Sequence, residues 1–273
     1  MPKALMDIAL HKKRIATSAA LALIPVLALL FQGWVLFTAL ALFSVFTLWE
    51  FYDLFRSQKG MKTLKSLGAA FTFLLLGAYT TERMDYPALI FLIGFWTSAL
   101  TFLFRYGKDV NATFRQTMIF LAGLVYIPLN FHFLLDFNRP ECVLVIGAAA
   151  VSDTAAFYAG SLWGKSKIWP QISPKKSWAG SLGGLAACMA ATMAFGLALG
   201  NGAAIWQWLL LGAALNVAAQ LGDFFESALK RSMDVKDSGN ILPGHGGLLD
   251  RVDSLLLVIP VYGLVRLAHP FFE

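Results

Sequence analysis

A bundle of about nine membrane-spanning helices, without strands or a separate soluble domain, is the fold class that this sequence predicts. Three observations carry that reading. Charged residues make up 14% of the chain, against roughly 25% in a soluble domain, while 58% is hydrophobic, with 23 Phe and 8 Trp. Apolar runs of roughly 17–24 residues recur along the whole length, each long enough to cross a bilayer as a helix. Lys and Arg, finally, collect between alternate runs, as topology signals do.

The runs lie at 15–31, 33–54, 64–80, 86–104, 116–135, 142–162, 177–200, 203–226 and 252–269. The first follows His11, Lys12, Lys13 and Arg14, in the manner of a signal peptide. A second apolar run follows at once with no clear small-residue cleavage site, so the first reads as a membrane helix. Glu50 and Asp53 close the second run, where they could cap or buttress a site, although interfacial anchoring is the favoured reading. The first five runs, through about residue 135, hold few charges and no dense polar motif, and residues 1–140 read as a lipid-facing scaffold. Residues 141–273 carry the dense polar motifs, and the two parts make one integral membrane unit. Cys142 and Cys188, on different runs with no paired spacing, read as packing residues.

With the N-terminus cytoplasmic, nine spans put 19 of the 22 Lys and Arg on the inner side. Only Arg83, Arg139 and Arg266 fall outside, as does the C-terminus. The net charge of +6 therefore serves topology and lipid headgroups, not nucleic acid. A multi-pass protein of the cell membrane follows, with its polar motifs on the cytoplasmic face. The sequence leaves open whether it forms a homodimer.

Those motifs begin beyond residue 150. Asp153 lies inside the sixth run, "AAAVSDTAAFYAGSLWGK". "ISPKKSWAGSLGG", 172–184, opens the seventh, with Ser177 as a candidate N-cap behind Ser173, Lys175 and Lys176. A helix N-terminus with lysines can cradle phosphate, although a juxtamembrane basic cluster explains the same lysines. Gly180, Gly183 and Gly184 suit close helix packing equally well.

In the eighth run, Asn216, Gln220, Asp223, Ser227 and Lys230 fall on one helical stripe. Asn216 and Gln220 read as interhelical glue. Asp223 reads as functional, because an ionisable group inside a membrane segment is costly. Asp250 and Asp253 share the first turn of the ninth run, where capping would also suit them. Asp223 and Asp250, at the inner ends of their helices, could face each other and give Mg²⁺ its oxygen ligands, with Asp253 a weaker third. A simple ion pair of Asp223 with Lys230, and of Asp250 with Arg251, is the competing explanation. "PGHGG" lets backbone amides approach an anion, and His245 reads as a base, a ligand or a hydrogen-bonding prop. Carboxylates for a metal beside cations and amides for phosphates describe phosphoryl or nucleotidyl transfer to a membrane-bound acceptor.

"SALKRSMDVKDSGNILPGHGGLLDRVD", 227–253, resembles the signature of the phosphatidate cytidylyltransferases, or CDP-diacylglycerol synthases. The matching positions are Ser227, Lys230, Arg231, Lys236, Asp237, His245, Gly246, Gly247, Asp250, Arg251 and Asp253. "SPKKSWAG" and "SDTAAFYAGSLWGK" resemble two further polar motifs of that family, so the likeness covers about 150–254. It departs at Ala179, where family members commonly carry Glu or Gln.

The resemblance implies the reaction CTP + phosphatidate → CDP-diacylglycerol + pyrophosphate, with CTP or dCTP and phosphatidic acid as substrates. Mg²⁺ is the expected cofactor, and a second, monovalent cation is left open. Asp223, Asp250, Lys230, Arg231, Lys236, Asp237 and Arg251 are then the catalytic candidates. Ser173, Lys175, Lys176, Ser227, His245, Gly246, Gly247 and Asp153 are the substrate-binding ones. The alternatives are a cytidylyltransferase or kinase acting on an ether lipid or polyprenol, or an anion transporter. A transporter would want charges near the midplane and repeated halves, and neither is found here.

Overall fold

A computed structural model describes residues 23, 26–55, 61–83, 85–109, 112–239, 241 and 246–272. Their regular elements are all helices, and isolated bridge residues at Lys167, Ser177 and Gly246 are the only β features among the described residues. Six helical stretches are long and apolar enough to cross a membrane: Gly33–Leu54, Tyr86–Tyr106, Arg115–Asp136, Arg139–Trp163, Trp178–Leu199 and Ile205–Ser232. Of the other three expected spans, 15–31 lies mostly outside the described residues. The second, 64–80, is a helix at Met61–Tyr79 that begins with Lys62 and Lys65. The third, 252–269, is a 14-residue helix at Leu255–Ala268. That helix is about 21 Å long, short of a hydrocarbon core of roughly 30 Å.

The chain divides into two compact units. One comprises Met1–Leu135 together with Asp237–Asp250, the other Asp136–Lys236 together with Arg251–Glu273.

In the first unit, α1 (Gly33–Leu54), α2 (Met61–Tyr79), α3 (Tyr86–Tyr106) and α4 (Arg115–Tyr126) pack in sequence, and α4 also returns onto α1 and α2. Tyr52 of α1 is the centre of that packing. Its ring lies where a Cβ on Gly68 or Gly123 would collide, and its hydroxyl donates to the Phe120 carbonyl at 3.1 Å. Beyond α4 the helix breaks into two four-residue pieces, α5 (Pro128–Phe131) and α6 (Phe133–Asp136). Pro128 supplies no N–H and disfavours helical geometry at Ile127, so the break falls there.

The second unit consists of α7 (Arg139–Trp163), α8 (Trp178–Leu199), α9 (Ile205–Ser232) and α10 (Leu255–Ala268). Asn138 caps α7 through a reciprocal box: its side chain accepts from the Glu141 N–H, and Glu141 accepts from the Asn138 N–H. Ser177 caps α8 as expected, its Oγ accepting from the Gly180 N–H. Gly180, Gly183 and Gly184 lie against the backbone and alanines of α7, so close helix packing accounts for them. Asn216 and Gln220 are indeed glue. Ser152 donates to Asn216 at 2.8 Å, and Ser181 and Gln220 exchange two hydrogen bonds. Cys142 and Cys188 are buried and unbridged. Large apolar side chains cover the outside, with Trp34 and Leu267 each 80% exposed, as a lipid-facing surface requires. The chain is an all-α integral membrane protein.

Candidate active site

The last turns of α9 gather the charge of the second unit. Asp223 is held at both oxygens, with Ser227 donating to Oδ1 at 3.2 Å and the Lys176 ammonium 2.5 Å from Oδ2. Lys176 comes from the loop ahead of α8 and also lies 4.3 Å over the Phe224 ring, a cation–π contact. The "SPKK" lysine and the intramembrane aspartate, predicted separately, therefore meet. Gly222 makes room for a further neighbour. A Cβ there would press on Asp253 O and Ser254, so the turn ahead of α10 rests on α9 beside Asp223. Asp153 of α7 accepts from Ser254 Oγ at 3.2 Å and so joins the same turn.

Asp153, Asp223 and Asp253 repel one another. Asp253 lies in the turn ahead of α10, and Lys230 is the cation that most directly offsets its charge.

Lys230 is not the partner of Asp223. The residue is 9% exposed, and its ammonium lies 2.5 Å from Glu226, which is fully buried. Glu226 lies beside the stripe through Asp223, not on it. Lys230 is two turns from Asp223, about 10.5 Å along the axis, but one turn from Glu226. The signal was present in the sequence as an acid four residues before a lysine. Arg231 is exposed and donates to the Val235 carbonyl at 3.1 Å. Lys175 and Lys236 are exposed, and Ser173 is half-buried in the loop before α8.

In the first unit, the described residues 237–239 and 246–250 gather around two carboxylates. Asp250 accepts from the Gly247 N–H at 2.9 Å and the Ser238 N–H at 3.1 Å. Glu50 of α1, expected as an interfacial anchor, is instead 1% exposed, and its Oε2 accepts from the Leu249 N–H at 2.8 Å. Gly246 takes φ +81, a conformation that glycine adopts freely. Asp237 is exposed, and His245 lies outside the described residues. Asp250 and Arg251 belong to a 3₁₀ turn, Leu249–Arg251, and α10 begins only at Leu255. Asp250 and Asp253 thus precede the helix rather than share its first turn.

Among the described residues, no group of three or more His, Cys, Asp or Glu is placed to hold a metal ion. The chemistry of the donors nevertheless suits Mg²⁺, which commonly takes one or two carboxylates and completes its shell with waters and substrate phosphates. At Asp253 the excess negative charge is what a bound cation would relieve.

This set of carboxylates and lysines suits chemistry that brings anions together, and comparison with known proteins identifies the class of enzyme. The profile of the cytidylyltransferase family matches residues 12–268. The chain is 34% identical to the phosphatidate cytidylyltransferase of Bacillus subtilis strain 168, over 94% of this chain and 98% of that protein. It is 34% identical to the enzyme of that name from Thermotoga maritima, over 70% and 72% of the two chains. The Staphylococcus saprophyticus phosphatidate cytidylyltransferase is 36% identical over 56% and 60%. The chain belongs to the cytidylyltransferase family and is a nucleotidyltransferase.

Proposed function

We propose that this protein transfers CMP from CTP to phosphatidate, giving CDP-diacylglycerol and pyrophosphate for phospholipid synthesis. The observation that carries this reading is its relationship, along nearly the whole of both chains, to the B. subtilis phosphatidate cytidylyltransferase. A phosphate oxygen of phosphatidate attacks the α-phosphorus of CTP, the bond to the β-phosphate oxygen breaks, and pyrophosphate departs. The nucleophile is already anionic, so no strong general base is needed. Repulsion between the two phosphates is the main obstacle.

Lys175, Lys176, Lys230, Arg231 and Lys236 offset that repulsion in this proposal, and the backbone amides around Gly246 and Gly247 receive phosphate oxygens. Asp223 and Asp250 serve as oxygen ligands for Mg²⁺, with Asp253 as the third carboxylate. Bound Mg²⁺ would supply charge neutralisation and polarise the phosphoryl group. The proposal keeps nine spans, a cytoplasmic N-terminus and an inward-facing site, on the asymmetry of the basic residues. Purified protein given labelled CTP, Mg²⁺ and phosphatidate should move label into the lipid phase. Label appearing only with a polyprenol or an ether-lipid acceptor would refute this substrate assignment.

A further inference from the structure

We infer that Glu50 is a positioning residue for the active-site loop, acting from a helix that carries none of the family's polar motifs. This inference rests on the proposed role of Asp250. Glu50 Oε2 joins the two ends of the loop, accepting from Ser238 Oγ at 3.3 Å and from the Leu249 N–H at 2.8 Å. A Cβ on Gly247 would collide with Ser238 Oγ and Glu50 Oε2, and one on Gly239 would lie 2.5 Å from Glu50 Oε1. Two loop glycines therefore leave space for this carboxylate. The second glycine of "HGG" has a concrete reason in the loop's closure, separate from any phosphate.

The loop is closed twice. Asp250 gathers the Ser238 and Gly247 N–H groups from one side, and Glu50 gathers the Ser238 hydroxyl and Leu249 N–H from the other. Both contacts share Ser238, and Leu249 immediately precedes Asp250. Holding that peptide fixes the backbone from which the Asp250 carboxylate projects. Glu50 contacts no reacting group in this account and acts through Asp250.

The test uses the full-length protein in lipid nanodiscs, with Glu50→Ala, Glu50→Gln, Ser238→Ala and, as control, Asp53→Asn. Asp53 lies one turn further along α1, where it pairs with Lys65 at 2.6 Å. Amide hydrogen exchange of peptides spanning 246–250 is read beside kcat, KM for CTP and Mg²⁺ dependence. Glu50→Ala should speed loop exchange at least tenfold, lower kcat about a hundredfold and raise the Mg²⁺ requirement. Helices away from the loop should keep wild-type exchange. Glu50→Gln, which keeps an acceptor oxygen for the Leu249 N–H, should recover most of both, and Asp53→Asn should match wild type.

Unchanged loop exchange in Glu50→Ala would overturn the inference, as would uniform acceleration across every helix. Should Glu50→Ala fail to fold, Ser238→Ala decides. Wild-type loop exchange and kcat there would refute the double closure, and local acceleration with lowered kcat would support it. Wild-type protein that moves no label from CTP to phosphatidate would sink the substrate assignment, while the exchange measurements would still judge the role of Glu50 in the loop.

Discussion

Asp223 sits within reach of Lys176, Ser227 and the turn bearing Asp253, and so carries two readings that a measurement can separate. Were it only an ion-pair partner, losing it would remove about 0–1 kcal/mol and leave chemistry nearly intact. As a metal ligand its loss should cost several kcal/mol of transition-state stabilisation, roughly a hundredfold or more in rate. Asp223→Asn and Asp250→Asn should each lower cytidylyl transfer to that extent and shift its Mg²⁺ dependence. The double variant should be little worse than either, because ligands of one ion act as a unit. Near-normal activity in either single variant would refute a shared metal. Among the cations, neutralising Lys230 or Lys236 should cost more activity than neutralising Lys59 or Lys62, which the charge pattern assigns to topology. The buried Glu226 beside Lys230 sharpens this. Lys230→Met strands a buried carboxylate, so that variant should also lose thermal stability, whereas exposed Lys236 should not.

At the scale of elements, small residues set how closely the helices approach. Gly196 and Gly200 at the end of α8 accept the ring of Trp208 from α9, which is 1% exposed, and Phe271 and Phe272 cover that ring from the C-terminal segment. Gly196→Leu has no room. It should cost about 1–3 kcal/mol or more through overpacking, read as a lowered Tm in detergent, with kcat near normal in whatever remains folded. At the start of α7, Glu141 is fully buried and accepts from Tyr262 Oη at 3.0 Å and Arg266 Nε at 2.7 Å. This latch was half legible. Asn138 followed by Glu141 spells a capping box, but nothing local says that Arg266 will complete it. The helices themselves were readable because length and apolarity are local properties. The start of α10 was misplaced for the same reason. Asp250 and Asp253 look like a helix start in one dimension, yet their backbone is taken up by loop contacts instead.

For the molecule as a whole, orientation remains the test of the charge pattern. A reporter fused after Glu273 should behave as external and one near Lys108 as cytosolic. An internal C-terminus would refute nine spans and put the site on the wrong side for CTP. The C-terminal segment returns to the connection between α8 and α9, where the Asn201 N–H donates to the Phe271 carbonyl at 3.0 Å, so both should report the same side. Read alone, the sequence determined that the protein lies in the membrane, that it is helical, and that its dense polar motifs fall in 150–254. Each follows from composition, period or a short motif, which neighbours in the chain suffice to specify. Only the tertiary structure decided that Asp223 meets Lys176, that Lys230 belongs to Glu226, and that Glu50 holds a loop 199 residues away at Leu249. A carboxylate's partner is chosen by burial and proximity in space, and a buried charge must find its hydrogen bonds wherever packing brings a donor.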